Sequence, residues 1–235
     1  MASDLTKVAE DSARGGFFLV SGTFIATVIS AITAILVGRS LGPELYGQYS
    51  LSLVIPEMLF IFADFGIAAG VVKFAASLRT EGKIGQAAKM IKHAMFLRAS
   101  IGLAFFLLNF ALADFLAAVL LNRPELGFYI RVASISILFY VVFTIATSAY
   151  LGLDKTHYSA LTTNIQAISK AVISIGLVLL GFSVAGAVLG YLAGYIIAGV
   201  VASSILLLIL RQYPRGDKNP DDNVGFTRTF KTIMN

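Results

Sequence analysis

The chain has 235 residues, of which 57% are hydrophobic and 13% charged, with a mean hydropathy of +0.84. An ordinary soluble domain carries roughly 25% charged residues, so this composition excludes a soluble globular fold and points to an integral membrane protein. The absence of Cys excludes a disulfide framework, a thiolate metal site and a Cys nucleophile, and the net charge of +5 reads as membrane topology and contact with anionic lipid heads, not as a nucleic-acid surface.

Residues 1–14 read as a cytoplasmic N-terminal segment. The run from Gly15 to Gly38 carries no charge and is long enough to cross a hydrocarbon core of roughly 30 Å. A signal-peptide core would be only about 7–15 residues, so 15–38 is expected as a first span. A second span is expected over 46–70, with Pro56 removing a backbone donor and kinking it. A third, over 95–120, rises from a basic amphipathic stretch, and a fourth covers 128–151. The uncharged run from Ala171 to Leu210 exceeds one crossing of about 20 residues. It breaks at Gly181-Phe182-Ser183, which gives spans over 158–181 and 184–210. The expectation is an all-α membrane protein with six transmembrane helices forming one lobe over 15–211. A polar and basic tail follows over 212–235.

The positive-inside rule sets the orientation. A cytoplasmic N-terminus places inside Lys7, Arg14, Lys73, Arg79, Lys83, Lys89, Lys92, Arg98, Lys155, Arg211, Arg215, Lys218, Arg228 and Lys231. The outside keeps Arg39, Arg123 and Arg131. Both termini are therefore expected in the cytoplasm, and the location is the cell membrane.

Charged and polar residues within apolar spans mark cavities or buried pairs, because an unpaired charge in hydrocarbon is costly. In the fifth span Ser159, Thr163, Gln166, Lys170 and Ser174 are spaced four, three, four and four apart, one helical face. That face lines a water-filled cavity with Lys170 drawing in an anionic head group, or else Lys170 is half of a buried ion pair. Glu57 and Asp64 lie seven residues apart on one face of the second span. Glu57 is the candidate for a coupling cation or proton or for pairing with Lys170 at mid-membrane. Asp64, nearer the interface, reads as more structural. Asp114 and Arg131 fall near one boundary as a local ion pair. Arg98 lies near the other, within snorkelling reach of lipid phosphates; Arg131 and Arg98 are also weaker candidates for the substrate cavity. Gly186, Gly190, Gly194, Ala198 and Ala202 repeat every four residues in the sixth span, a stripe for close helix packing. Asp64-Phe65-Gly66 matches a kinase magnesium motif in letters only, with no catalytic or phosphate loop nearby. His93 and His157 have no second ligand at metal spacing. No cofactor, metal or catalytic residue is expected, and the chain does not read as an enzyme.

The stretch Val37-Gly38-Arg39-Ser40-Leu41-Gly42-Pro43-Glu44-Leu45-Tyr46-Gly47-Gln48-Tyr49 resembles the first inter-helix turn of the polysaccharide flippases. These are the O-antigen and lipid-linked oligosaccharide exporters of the multidrug/oligosaccharidyl-lipid/polysaccharide superfamily. Ala63-Asp64-Phe65-Gly66-Ile67 is similar to the family's second-helix ending, and Tyr150-Leu151-Gly152-Leu153-Asp154-Lys155-Thr156 to its fourth-to-fifth connection. The resemblance implies a fold of about twelve to fourteen spans in two lobes, of which this chain supplies the N-terminal one. It implies export of a lipid-linked oligosaccharide or polysaccharide precursor. Lys170, with Arg131 and Arg98, would meet phosphate, and Ser159, Thr163 and Gln166 would meet sugar. Glu57 would couple an ion gradient. The expected partners are the lipid-linked glycan, membrane lipids and a missing C-terminal lobe or second half-transporter, with no nucleic acid. The alternatives are a multidrug/cation antiporter of the same superfamily and a non-transporting membrane scaffold.

Overall fold

The computed structural model describes the backbone of residues 2–64 and 66–213 and the side chains of 15–64 and 66–213. Lys7, Arg14, Phe65 and the tail over 214–235 with its four cations lie outside the described side chains. The described chain is helical throughout, with no strand among the described residues. The helices are α1 (Ala2–Asp64), α2 (Ile67–Thr80), α3 (Ile84–Val119), α4 (Gly127–Gly152), α5 (Thr156–Leu177) and α6 (Ser183–Gln212). A 3₁₀ turn, Pro124–Leu126, precedes α4, and a π-turn, Val178–Phe182, joins α5 to α6.

Among the described residues four apolar stretches are long enough to cross a membrane: Gly15–Thr80, Ile84–Val119, Pro124–Gly152 and Thr156–Gln212. The first and last fold back on themselves, giving six legs. Within α1 the reversal is at Gly42, whose φ of 76° suits a residue without Cβ. Pro43 follows, where it cannot continue the preceding helix. The fold-back brings the Tyr46 ring against Gly38, a contact that a straight helix forbids at eight residues' separation. The second reversal uses Gly181 at φ 90°. Across it Gly186, Gly190 and Gly194 abut Leu177, Ser174 and Lys170 in turn. The stripe of small residues thus does what its four-residue period promises: it admits α5 at backbone contact.

Pro56 stands within continuous helix, and the non-helical dihedrals of α1 are at Gly42. The break near the end of the second leg comes at Gly66 (φ 73°), where α2 restarts. The third helix is also longer than its apolar core, because its basic first turns, from Ile84, are helical too.

The ends of the bundle follow from contacts. Gly15 lies against Thr156 and Asp154, and Arg79 pairs with Asp154 at 2.7 Å. The start of α1 and the α2–α3 and α4–α5 turns therefore share one end. Lys73, Arg79, Lys83, Lys89, Lys92 and Lys155 gather there, as does Arg211 closing α6. In the α2–α3 turn, a hydrogen bond from the Lys83 ammonium (2.8 Å) holds the Glu81 carboxyl below the usual carboxylate range. Gly127 abuts Asp114 at the opposite end. α4 is the central helix, and its buried residues join a core shared with α2, α3 and α6 and another shared with α1 and α6.

Candidate functional site

The two arms of α1 meet α5 around a polar cavity of about 210 Å³, lined by Thr33, Tyr46, Tyr49, Ser50, Glu57 and Lys170 among others. The Gly42 reversal creates it, since Thr33 comes from one arm and Glu57 from the other. Glu57 is exposed at its surface and Lys170 is half-buried. The two charges meet at Tyr191 of α6. The Tyr191 hydroxyl donates to Glu57 Oε1 at 3.0 Å, and Lys170 Nζ stands 5.4 Å from the centre of the same ring. A hydrogen bond to a charged group contributes roughly 1.5–3 kcal/mol, and a cation over an aromatic face about 0.5–2 kcal/mol. The buried Tyr191 ring therefore holds a carboxylate at its hydroxyl and an ammonium at its face. Glu57 and Lys170 make no direct ion pair.

An aromatic cluster lies beside Tyr191. Its ring is 5.2 Å from Tyr195, which in turn meets Phe60 edge-on at 5.7 Å and Tyr140 at 5.6 Å. Phe60 and Tyr140 stack with centroids 3.8 Å apart. Phe60 lies between Glu57 and Asp64 on α1, so the cluster separates the cavity from a second charged pair. In that pair Arg98 Nη1 contacts Asp64 Oδ1 at 2.7 Å, with Arg98 1% exposed and Asp64 35%. Asp64 also accepts from the Ala68 backbone at 3.4 Å, steadying the restart of helix past Gly66.

These placements sort the expected residues. Lys170 and Glu57 line one cavity. Arg98 does not: buried within the bundle and engaged by Asp64, it cannot snorkel to a lipid head, because its guanidinium lies on the inward face of α3. Arg131 pairs with Asp114 near the opposite end and stands over the Phe110 ring, away from the cavity. Ser159 is 5% exposed, and its carbonyl accepts from the Thr163 hydroxyl at 2.9 Å. Ser174 is buried and donates to the Ala187 carbonyl at 3.3 Å, and the Gln166 backbone abuts Gly194. From Gln166 to Ser174 the polar stripe of α5 is thus drawn against the glycines of α6, while Thr163 bonds within its own helix. Lys170 alone of that stripe lines the cavity: its stem crosses Gly194 and its long side chain carries the ammonium out to the Tyr191 ring.

Tyr191, Tyr49, Tyr46, Thr33 and Ser50 are the site residues that spacing did not reveal. The available signal was the hydroxyl on a buried aromatic ring, which needs a partner in an apolar span. No group of three or more His, Cys, Asp or Glu that could hold a metal occurs among the described residues.

Comparison with known proteins bears on the fold and the family. A family model described as "Polysaccharide biosynthesis protein" matches residues 12–234. None of the curated proteins matches the chain. Two solved structures are similar, each at 18% identity over 95% of this chain. One is a MOP superfamily transporter from Pyrococcus furiosus (TM-score 0.79), whose description speaks of a binding pocket of reverse polarity. The other is a multidrug resistance MATE family transporter of the same superfamily in an outward-facing conformation (TM-score 0.77). The chain covers 50% of each of those chains, so it spans about half their length.

Proposed function

The chain belongs to the polysaccharide biosynthesis protein family, and we propose that it forms one lobe of a membrane transporter that moves a lipid-linked oligosaccharide or polysaccharide precursor across the cytoplasmic membrane. The observation that carries the mechanism is the shared ring of Tyr191, with Glu57 at its hydroxyl and Lys170 at its face. The cavity of about 210 Å³ is smaller than the roughly 300–1,000 Å³ of sites that take drug-sized ligands, so it suits a proton or small cation with water better than a chain of sugars. In this reading Glu57 is the group that loads and releases the coupling ion. Its carboxylate takes a proton or cation from water at the cavity, and loading cancels the negative charge at the Tyr191 hydroxyl, leaving the Lys170 ammonium at the ring face unbalanced. The Lys170 ammonium disfavours a second cation and gives the site a cation-binding and an anion-attracting side. The glycan head would pass through the larger space between this lobe and a second lobe, with the two rocking about it. The positive-inside asymmetry supports a cytoplasmic location for the Lys-rich end.

The test uses the chain together with its second lobe in a cell that exports surface glycan. Tyr191→Phe keeps the ring under Lys170 and removes the hydroxyl from Glu57. It is expected to lower export and to shift its dependence on the ion gradient, whereas Glu57→Gln abolishes gradient dependence. Export that keeps its wild-type gradient dependence in Glu57→Gln refutes the coupling role. Export with neither lobe required refutes the lobe reading.

A further inference from the structure

We propose that the face made by α3, α4 and α6 holds one anionic phospholipid from the leaflet at the Lys-rich end. Its phosphate would sit between Lys92 and Arg211 and one hydrocarbon chain in the groove above them. This site is separate from the polar cavity and shares no lining residue with it.

The groove exists because α3 and α6 flank α4 and leave its Leu138, Phe139 and Val142 half-buried between them. Its volume is about 340 Å³. Ala99 and Leu103 of α3 make one wall, Gly199 and Val200 of α6 the other, and Phe139 and Val142 of α4 the floor. Small residues deepen it: Gly199 lies against the Phe139 carbonyl, where a Cβ would come within 3.0 Å. The lining is apolar apart from Ser203, and the Ser203 hydroxyl is satisfied by the Gly199 carbonyl at 2.7 Å. Nothing in the groove therefore asks for a polar ligand.

Helical periodicity places a cation below each wall. Lys92 precedes Leu103 by eleven residues, and Arg211 follows Val200 by eleven. Eleven residues make about three turns, so each cation stands on the stripe of its groove residue, roughly 16 Å along the helix. α3 and α6 run in opposite directions, so both displacements lead to the same end of the bundle. That depth is about half of a ~30 Å hydrocarbon core, the reach of one leaflet's chain. Phe96 and Leu207, both exposed, pave the two stripes between cation and groove. Lys92 and Arg211 are exposed and enter no ion pair among the described residues. No Asp or Glu occurs in α4 or α6, and the only one in α3 is Asp114, at the far end. The positive charge at the mouth is thus uncompensated by the helices that carry it. Charge and groove together select an anionic head on a long hydrocarbon chain.

The chain has no Trp, so Phe139→Trp gives a single fluorescent reporter on the groove floor. The reporter protein, reconstituted into bilayers, is titrated with phosphatidylglycerol or phosphatidylcholine brominated on identical chains. The expected result is stronger quenching by brominated phosphatidylglycerol, an apparent preference of about ten-fold at low salt, as two juxtamembrane cations allow. Lys92→Gln with Arg211→Gln should bring the preference to within about two-fold. Ala99→Leu, which fills the groove, should weaken quenching by both lipids. An Ile35→Trp reporter on the exposed face of α1 should show no preference. Equal quenching by the two lipids at position 139 overturns the proposal, as does a preference that survives the double substitution. Absence of quenching by either lipid, the sign of a protein partner covering the groove, also overturns it. Native mass spectrometry of the unsubstituted chain, counting retained phosphatidylglycerol against phosphatidylcholine, gives the same decision should the reporter not fold.

Discussion

Replacing Asp64 with Ala should destabilise the bundle far more than its place near a helix break suggests. The substitution removes the carboxylate 2.7 Å from Arg98, whose side chain is 1% exposed. The guanidinium then remains buried with no counter-charge. Breaking a buried pair from one side costs about 3–5 kcal/mol. Asp64 is itself 35% exposed, so water screens part of the attraction and the lower end, about 3 kcal/mol, applies. The weak 3.4 Å contact to the Ala68 amide adds little. For a chain of this size 1 kcal/mol moves Tm by about 2–4 °C, which predicts a fall of about 6–12 °C. The double variant Asp64→Ala with Arg98→Met removes both charges and keeps the volume of the long side chain. It should recover most of the loss, since apolar replacement of a buried pair is often neutral or better. The assay is the loss of helical circular dichroism on heating in detergent at a fixed scan rate, which suits a chain without Cys or Trp reporters. A single variant within about 1 °C of the parent refutes the reasoning, and so does a double variant that is worse than the single one.

Gly190→Ala and Gly176→Ala should part company in the same assay. A Cβ at Gly190 would overlap the Ser174 backbone, whereas one at Gly176 meets nothing. The first is expected to abolish stable folding, and the second to be neutral or to stabilise by about 0.5–1 kcal/mol through helix propensity. In the α2–α3 turn the Glu81 carboxyl, hydrogen-bonded by Lys83, should titrate below the ordinary carboxylate midpoint by NMR, and Lys83→Met should raise that midpoint. The contact favours the folded turn above the ordinary carboxylate pKa and is lost as pH falls through the lowered one.

The legs of the bundle were readable because uncharged length against bilayer thickness leaves few choices, and because a glycine beside a proline can only end a helix. The Gly42 reversal and the glycine stripe of α6 follow from that logic. What spacing could not supply was the direction each polar face takes. Ser159, Thr163, Gln166, Lys170 and Ser174 do share one face, but a face has no label for water or for protein. Four-residue glycines on the next helix decide the matter toward the end of α5: they bring it so close that the Ser174 hydroxyl finds the Ala187 carbonyl of α6, while the Thr163 hydroxyl turns back to the Ser159 carbonyl of its own helix. Lys170 escapes through the length of its side chain. A serine opposite a glycine stripe here marks an interface, and the lysine one turn away reaches the cavity beyond it.

The same reasoning separates the two acidic residues of the second leg. Glu57 and Asp64 are seven residues apart and share a helix face, yet only Asp64 has a guanidinium within contact. A carboxylate already engaged by a buried arginine must first surrender that partner to take up an ion, at a cost of about 3 kcal/mol on the estimate above. Among the described residues Glu57 is hydrogen-bonded by the Tyr191 hydroxyl alone (3.0 Å), a donor that serves a charged and a protonated carboxyl alike, and it opens onto a cavity. Phe60, stacked on Tyr140, lies between the two carboxylates along α1, and the cavity that Glu57 lines does not include Asp64. On the proposed coupling role, an ion entering from the cavity would stop at Glu57, while the Asp64–Arg98 pair stays beside the helix break at Gly66.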